Sequence, residues 1–174
     1  MSAEGVKKEM VSSTDGQVLT IEYELNAPKK VVFDAYSNSE NLASWWGPKG
    51  WKTENLTFEF KPNGVWHYCM RCVDQSQGEY YGQESRGKAV YQEIVPDEKI
   101  IYTDSFVDKE GNPLDGMPEI FVAIHFEDDG DGTKMTMRSE FASSDILQQM
   151  IDMGIEEGCA SQFSRLDDFL ETKM

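Results

Sequence analysis

Residues 120–170 read "IFVAIHFEDDGDGTKMTMRSEFASSDILQQMIDMGIEEGCASQFSRLDDFL", and the periodicity of this stretch changes once, near Phe141. Before that point apolar and polar residues alternate on both sides of "DDGDG", the signature of a β-hairpin closed by a glycine-containing turn. After it, Ile151, Ile155, Cys159, Phe163, Leu166 and Leu170 recur at helical spacing, so one long helix is expected from Asp145 to about Glu171, capped by Ser144. A two-stranded ribbon followed directly by a long amphipathic helix points to an antiparallel sheet that packs one face against that helix.

The rest of the chain supplies the sheet. "GQVLTIEYELNA" (16–27) alternates Leu19, Ile21, Tyr23 and Leu25 against polar partners, a half-buried strand. Two short helices follow: one behind Pro28, with Val31, Val32, Ala35 and Tyr36 at helical spacing, and one with Ser39 as its N-cap and stopped by Gly47-Pro48. From 52 to 141 the sequence is strand and turn. "NLTFEF" and "VWHYCMRC" form a hairpin around "KPNG", "SQGEYYGQESRG" reads as a loop or short strand, "KAVYQEIVP" and "KIIYTDSFVD" are two more strands, and "EGNPLDGMPE" is a polar loop. No repeat or low-complexity linker interrupts the order. The expected fold class is α+β, a helix-grip: a curved antiparallel sheet wrapped around a long C-terminal helix, with two short helices after the first strand. Residues 1–15 are read as an N-terminal extension and 16–174 as one domain.

Composition bounds the function. Thirty-two acidic against 16 basic residues give a formal charge of −16, which disfavours a nucleic-acid partner. No apolar run reaches the roughly 20 residues of a spanning helix, and the start lacks the apolar segment of a signal peptide, so no membrane insertion and a cytoplasmic location are expected. Three cysteines argue against a disulfide framework. Cys69 and Cys72 form a CxxC, but three residues apart on a strand they fall on opposite faces, and no second pair completes a zinc site. "DDGDG" lacks the glycine position and flanking helices of a calcium loop. No nucleophile elbow, helix-face histidine pair or phosphate-cradling glycine loop is present. No cofactor, no metal and no catalytic set are assigned.

The faces can still be sorted. Leu56, Phe58, Phe60, Trp66, Tyr68 and Met70 fall on one side of their hairpin, toward the helix, and Glu59, Lys61, His67 and Arg71 on the other. Met135 and Met137 share a face of the last strand, and Met150 and Met153 open the helix. Methionine makes an adaptable wall, although aromatic and methionine stripes are also what ordinary cores are made of. Asp104 shares parity with Ile100, Tyr102 and Phe106, so either it points into the apolar interior or the strand ends or bulges there. A buried carboxylate would have a raised pKa and could serve as acid, base or ligand anchor, while the plainer expectation is that Asp104 lies near the mouth or is hydrogen-bonded. His125 reads as a structural or surface residue, and Glu156 and Glu157 as solvent-facing.

Four stretches, "VFDAYSNSENLASWWGP", "FEFKPNGVWHYCMR", "GKAVYQEIVPDEKIIYT" and "GTKMTMRSEF", followed by "EEGCASQFSRLDDFL", together resemble the activator of heat-shock-protein-90 ATPase homology domain, a START-like (SRPBCC) family. The resemblance covers residues 16 to 172. It implies a cavity between sheet and last helix that in relatives holds a lipid, polyketide or other apolar small molecule. With that cavity, the candidate lining is Trp45, Trp46, Phe58, Phe60, Trp66, Tyr68, Met70, Tyr102, Asp104, Met135, Met137, Met150, Cys159 and Phe163. Trp45 and Trp46 would plug or border its open end. Two departures stand out: the family's acidic-x-Arg-x-Gly-Gly turn is here Glu59, Lys61, Asn63 and Gly64, and its Gly-Trp pair in the last helix is Gly158-Cys159, which leaves room at that end. Co-chaperone function in founding members draws on an additional N-terminal domain, which residues 1–15 are too short to supply.

Three function classes stay open. The first is binding of an apolar or aromatic small molecule. The second is an enzyme of cyclase, lyase or hydrolase type using Asp104, Tyr68 or Tyr102. The third is a stress-related protein with a chaperone partner. Either a monomer or a homodimer fits the sequence.

Overall fold

A computed structural model describes residues 10–116 and 119–173 of the chain. Residues 1–9 of the expected extension, and 117–118 of the expected polar loop, lie outside them. The strands are β1 (Met10–Asp15), β2 (Val18–Leu25), β3 (Trp51–Phe58), β4 (Val65–Cys72), β5 (Glu84–Val95), β6 (Lys99–Val107), β7 (Ile120–Asp129) and β8 (Gly132–Glu140). The helices are α1 (Lys29–Ser37), α2 (Ser39–Trp45), α3 (Ser144–Asp152) and α4 (Ile155–Glu171). The described strands join one antiparallel sheet in the order β1-β2-β8-β7-β6-β5-β4-β3, so β2 pairs with the last strand, β8, and β1 and β3 form the edges. This is the helix-grip architecture.

Alternation decides which face of the sheet is covered. Leu19, Ile21, Tyr23 and Leu25 on β2 are buried, as are Ile100 and Tyr102 on β6 and Val122, Ile124 and Phe126 on β7. Helix α4 meets them with Phe163, Leu166 and Leu170, and the Phe163 ring lies 5.3 Å from that of Tyr23. Each such side chain contributes roughly 1.5–3 kcal/mol on leaving water.

Several local readings change. Residues 10–15, placed in the extension, pair with β2 from Met10↔Tyr23 to Asp15↔Val18. The single long helix is two, because Gly154 adopts a left-handed backbone (φ 97°) that an L side chain resists, and the chain turns there between α3 and α4. The cap of α2 is Asn38, whose side-chain oxygen accepts the Asn41 N–H at 3.0 Å, in place of Ser39, and the cap of α3 is Ser143, whose hydroxyl accepts the Ile146 N–H at 3.1 Å, in place of Ser144. Leu56 was assigned to the inner face but is exposed: the register slips between Asn55 and Thr57, Leu56 is the extra residue of a bulge, and Asn55 takes the inward position opposite Tyr68. Glu156 also is not simply solvent-facing, since it accepts a hydrogen bond from Ser12 on β1.

The turn after α2 is tied to α4 by polar contacts. Arg165 Nη1 donates to the carbonyls of Trp46 (3.1 Å), Gly47 (2.9 Å), Pro48 (3.2 Å) and Trp51 (3.0 Å), and Nη2 donates to that of Ser44 (3.2 Å). Gln162 accepts the Gly47 N–H, and Ser161 accepts the Lys49 N–H, both at 2.9 Å. Burial lowers the Arg165 pKa from the usual guanidinium value. Among the described residues no carboxylate pairs with it, so the charge is held by peptide carbonyls alone.

Removing that charge strands those carbonyls. Arg165→Leu is expected to destabilise the protein by roughly 2–4 kcal/mol, and Arg165→Lys to recover only part, because one ammonium nitrogen can replace Nη1 but not also Nη2 on the Ser44 carbonyl. Urea denaturation midpoints check this; an Arg165→Leu midpoint equal to that of the wild type would show that the clamp contributes nothing.

Candidate functional site

The inner face is a net of aromatic rings. Phe33, Phe60, Tyr91, Tyr102, Trp66, Trp46, Trp45, Tyr36 and Phe126 form a closed circuit in which each ring meets the next, with centroids 4.7–6.4 Å apart. Polar ends of these residues are satisfied locally. The Trp45 indole donates to the Ala35 carbonyl at 3.0 Å, the Trp66 indole to Asn55 Oδ1 at 2.8 Å, and the Tyr36 hydroxyl to the Met135 sulfur at 3.2 Å.

Asp104 interrupts this apolar surface. It stands near the end of β6, paired with Ala89 on β5 and Ile120 on β7, and its carboxyl accepts the Tyr68 hydroxyl at 3.1 and 3.3 Å. Tyr68 is on β4, so its ring must cross β5 to reach Asp104. Gly87 makes the crossing feasible: a Cβ there would lie 2.3 Å from Tyr68 Cζ and Oη. Burial drives the Asp104 pKa up to about 7, against the opposing hydrogen bonds from Tyr68 and the Ser105 N–H. Tyr68, Tyr91 and Tyr102 are raised in turn, by burial first and then by the Asp104 charge. A cavity of about 30 Å³, lined by Tyr68, Asp104, Ser105, Phe106 and Ile120, opens onto the carboxyl, and Asp104 is itself only partly covered. That volume suits a water molecule.

The expected lining divides into three groups. Trp45, Trp46, Trp66, Tyr68 and Tyr102 are buried and contiguous with Asp104. Phe58 and Phe60 are half-buried and stack at 6.0 Å beside Tyr91. Met135 and Phe163 are fully buried core residues, whereas Met70, Met137, Met150 and Cys159 pack against the core with part of their surface open. Burial raises the Cys159 thiol to about 11. Tyr36, Tyr91, Gly87 and Arg165 were not singled out from sequence. A glycine inside the alternating run "SRGKAVY" was the available signal for the close crossing.

Cys69, Cys72 and Cys159 are free thiols. Among the described residues no group of three or more His, Cys, Asp or Glu side chains is arranged to hold a metal ion. His125 is exposed. Two larger hollows, about 570 and 410 Å³, lie along the β3 edge beside α2 and share Ala43, Lys52, Thr53 and Val73. They are open, with Lys49, Lys52, Arg71 and Glu54 among their lining residues and Trp51 as their one ring, so they carry no comparable aromatic wall.

The family model for "Activator of Hsp90 ATPase homolog 1-like protein" matches residues 26–171. The chain belongs to this family. Similar solved structures include a protein of Arthrobacter aurescens determined by solution NMR, 27% identical, with a TM-score of 0.83 over 93% of this chain and 91% of that one. A Staphylococcus epidermidis protein is 25% identical, with a TM-score of 0.81 over 95% and 96% of the two chains. A Mycobacterium smegmatis crystal structure is 25% identical, with a TM-score of 0.80 over 93% and 95%. No curated protein matches the chain. No described helix is long and apolar enough to cross a membrane.

Two outcomes follow from the Asp104 corner. The Asp104 pKa is raised above its unfolded value near 4, so the folded state holds the proton more tightly, and stability falls as pH rises from about 4 through about 7. Asp104→Asn is therefore expected to gain on the wild type by roughly 1–3 kcal/mol between about pH 4 and 8, measured by denaturation at a series of pH values; a difference independent of pH would contradict the buried carboxyl. Gly87→Ala is expected to cost roughly 1–3 kcal/mol by displacing the Tyr68 ring, and much less in a Tyr68→Ala background. Equal costs in both backgrounds would mean that ring and glycine are uncoupled.

Proposed function

We propose that the protein binds an apolar or aromatic small molecule between the sheet and α4, around the aromatic net and Asp104. The observation that carries this reading is a continuous aromatic face broken by one carboxyl, the combination of broad apolar contact and a single orienting polar group that small-molecule sites use. The family fold commonly accommodates hydrophobic ligands, which supports the same reading. The opening at Asp104 is small, so a ligand enters by displacing side chains. The half-buried Phe58, Met70, Met137 and Met150 are the ones free to move, and methionine repacks at low cost. Three free thiols fit a reducing compartment, in keeping with a cytoplasmic location.

An enzymatic reading is favoured by one feature: a carboxyl that titrates near 7 beside a tyrosine hydroxyl is suited to proton transfer at neutral pH. Binding is the preferred reading because a broad aromatic face with one carboxyl is the pattern of small-molecule sites, whereas proton transfer would use only that carboxyl and its tyrosine.

Native mass spectrometry of protein purified from its own host tests the proposal, with Nile red fluorescence as a second readout. A retained small molecule, together with saturable Nile red binding that quenches the buried tryptophans, is the expected result. Protein that carries no adduct and leaves Nile red dark would overturn it.

A further inference from the structure

We infer that the molecule bound at the inner face is an organic cation, a protonated amine or a quaternary ammonium group on an apolar body. This rests on the reading of that face as a ligand site, and on four features of the Asp104 corner.

The carboxyl has no basic partner. Among the described residues no Lys, Arg or His forms an ion pair with Asp104, and its side-chain hydrogen bond comes from the neutral Tyr68 hydroxyl. The nearest cations in the neighbouring strand, Arg86 and Lys88, alternate with Gly87 and Ala89 and so project from the opposite face of the sheet. Next to the carboxyl is a cluster of rings: Tyr68, whose hydroxyl it accepts, lies 4.5 Å from Trp66 and 5.8 Å from Trp46, and Tyr102 lies 6.4 Å from Trp66 and 6.0 Å from Tyr91. Electron-rich rings beside a carboxylate are complementary to a soft, weakly hydrated cation. The opening of about 30 Å³ leads to that carboxyl, and as side chains at its mouth give way an ammonium head reaches Asp104 while the apolar body lies along the rings.

Charge on the larger scale agrees. A formal charge of −16 draws cations toward the protein and repels carboxylates, and a fatty-acid-like ligand would in addition set its own carboxylate against Asp104. A neutral alcohol could hydrogen-bond to Asp104 but would leave the charge uncompensated. The cation satisfies both the carboxylate and the rings.

A matched set of probes separates these cases: decylamine, decyltrimethylammonium, decanol and decanoate, each below its micelle concentration, competing with Nile red at about pH 8, where Asp104 is ionised. The expected order for the wild type is that the two cations displace Nile red at roughly tenfold lower concentration than decanol, with decanoate weakest. In Asp104→Asn that preference is lost. A second readout needs no variant: the Asp104 side-chain carboxyl resonance of the wild-type protein shifts on adding decylamine and stays in place on adding decanol. If decanol or decanoate competes as well as the amines, the cation assignment is wrong while the pocket stands. If Nile red and all four probes fail to bind, the pocket reading itself fails. Decylamine alone succeeding would narrow the ligand to a protonated amine that donates hydrogen bonds; equal success of decyltrimethylammonium would assign recognition to charge and rings.

Discussion

The architecture around the candidate site depends on one cation held by peptide carbonyls. Arg165 projects from the flank of α4 into the turn at residues 44–51 and gathers carbonyls that the end of α2 and the Gly47-Pro48 break leave without helical partners. A guanidinium is suited to this because its donors are fixed in a plane and it is always charged. The consequence reaches the interior. With the turn fixed against α4, Trp46 is set edge-on to Trp66 at 4.7 Å, and Thr53 on β3 donates to the Trp46 carbonyl at 2.8 Å. Sheet edge, turn and helix are thereby locked at one place, and the aromatic net is assembled from that place inward.

The second constraint is the crossing of Tyr68 over Gly87. An antiparallel sheet normally pairs side chains with their direct or diagonal neighbours on adjacent strands. Here a strand without a side chain lies between two that have one, so a β4 hydroxyl reaches a β6 carboxyl. Asp104 gains one good hydrogen bond by this route, which is too little to offset its loss of water, and its titration moves to near neutrality. An acid retained under such conditions, without an ion-pair partner among the described residues, is the feature that most distinguishes this interior from an ordinary aromatic core.

Much of the fold was legible in the sequence because alternation and helical spacing are strong signals over long stretches. The β7–β8 hairpin, β2 and the buried stripe of α4 follow directly from residue pattern. The misreadings share a physical origin in single residues that change a register. Leu56 has the right parity and the wrong face, because a bulge adds one residue ahead of Phe58. Gly154 sits within a helical pattern and yet ends α3 by its left-handed backbone. Met10–Asp15 is polar and short, and becomes a strand only because β2 offers it an edge. At the site, parity put Tyr68 and Tyr102 on the inner face and left Asp104 open between the interior and a strand end or bulge; the structure pairs it with the Tyr68 hydroxyl. The Arg165 clamp was invisible, since hydrogen bonds between residues more than a hundred positions apart leave no local periodicity.

Two regions compete for the role of binding site: the aromatic interior at Asp104, and the larger open hollows along the β3 edge. Volume favours the edge, and chemistry favours the interior. Amide chemical-shift mapping during titration with Nile red decides between them. The account predicts the largest shifts at Tyr68, Gly87, Tyr102 and Asp104; shifts confined to Lys49, Lys52 and Val73 would contradict it.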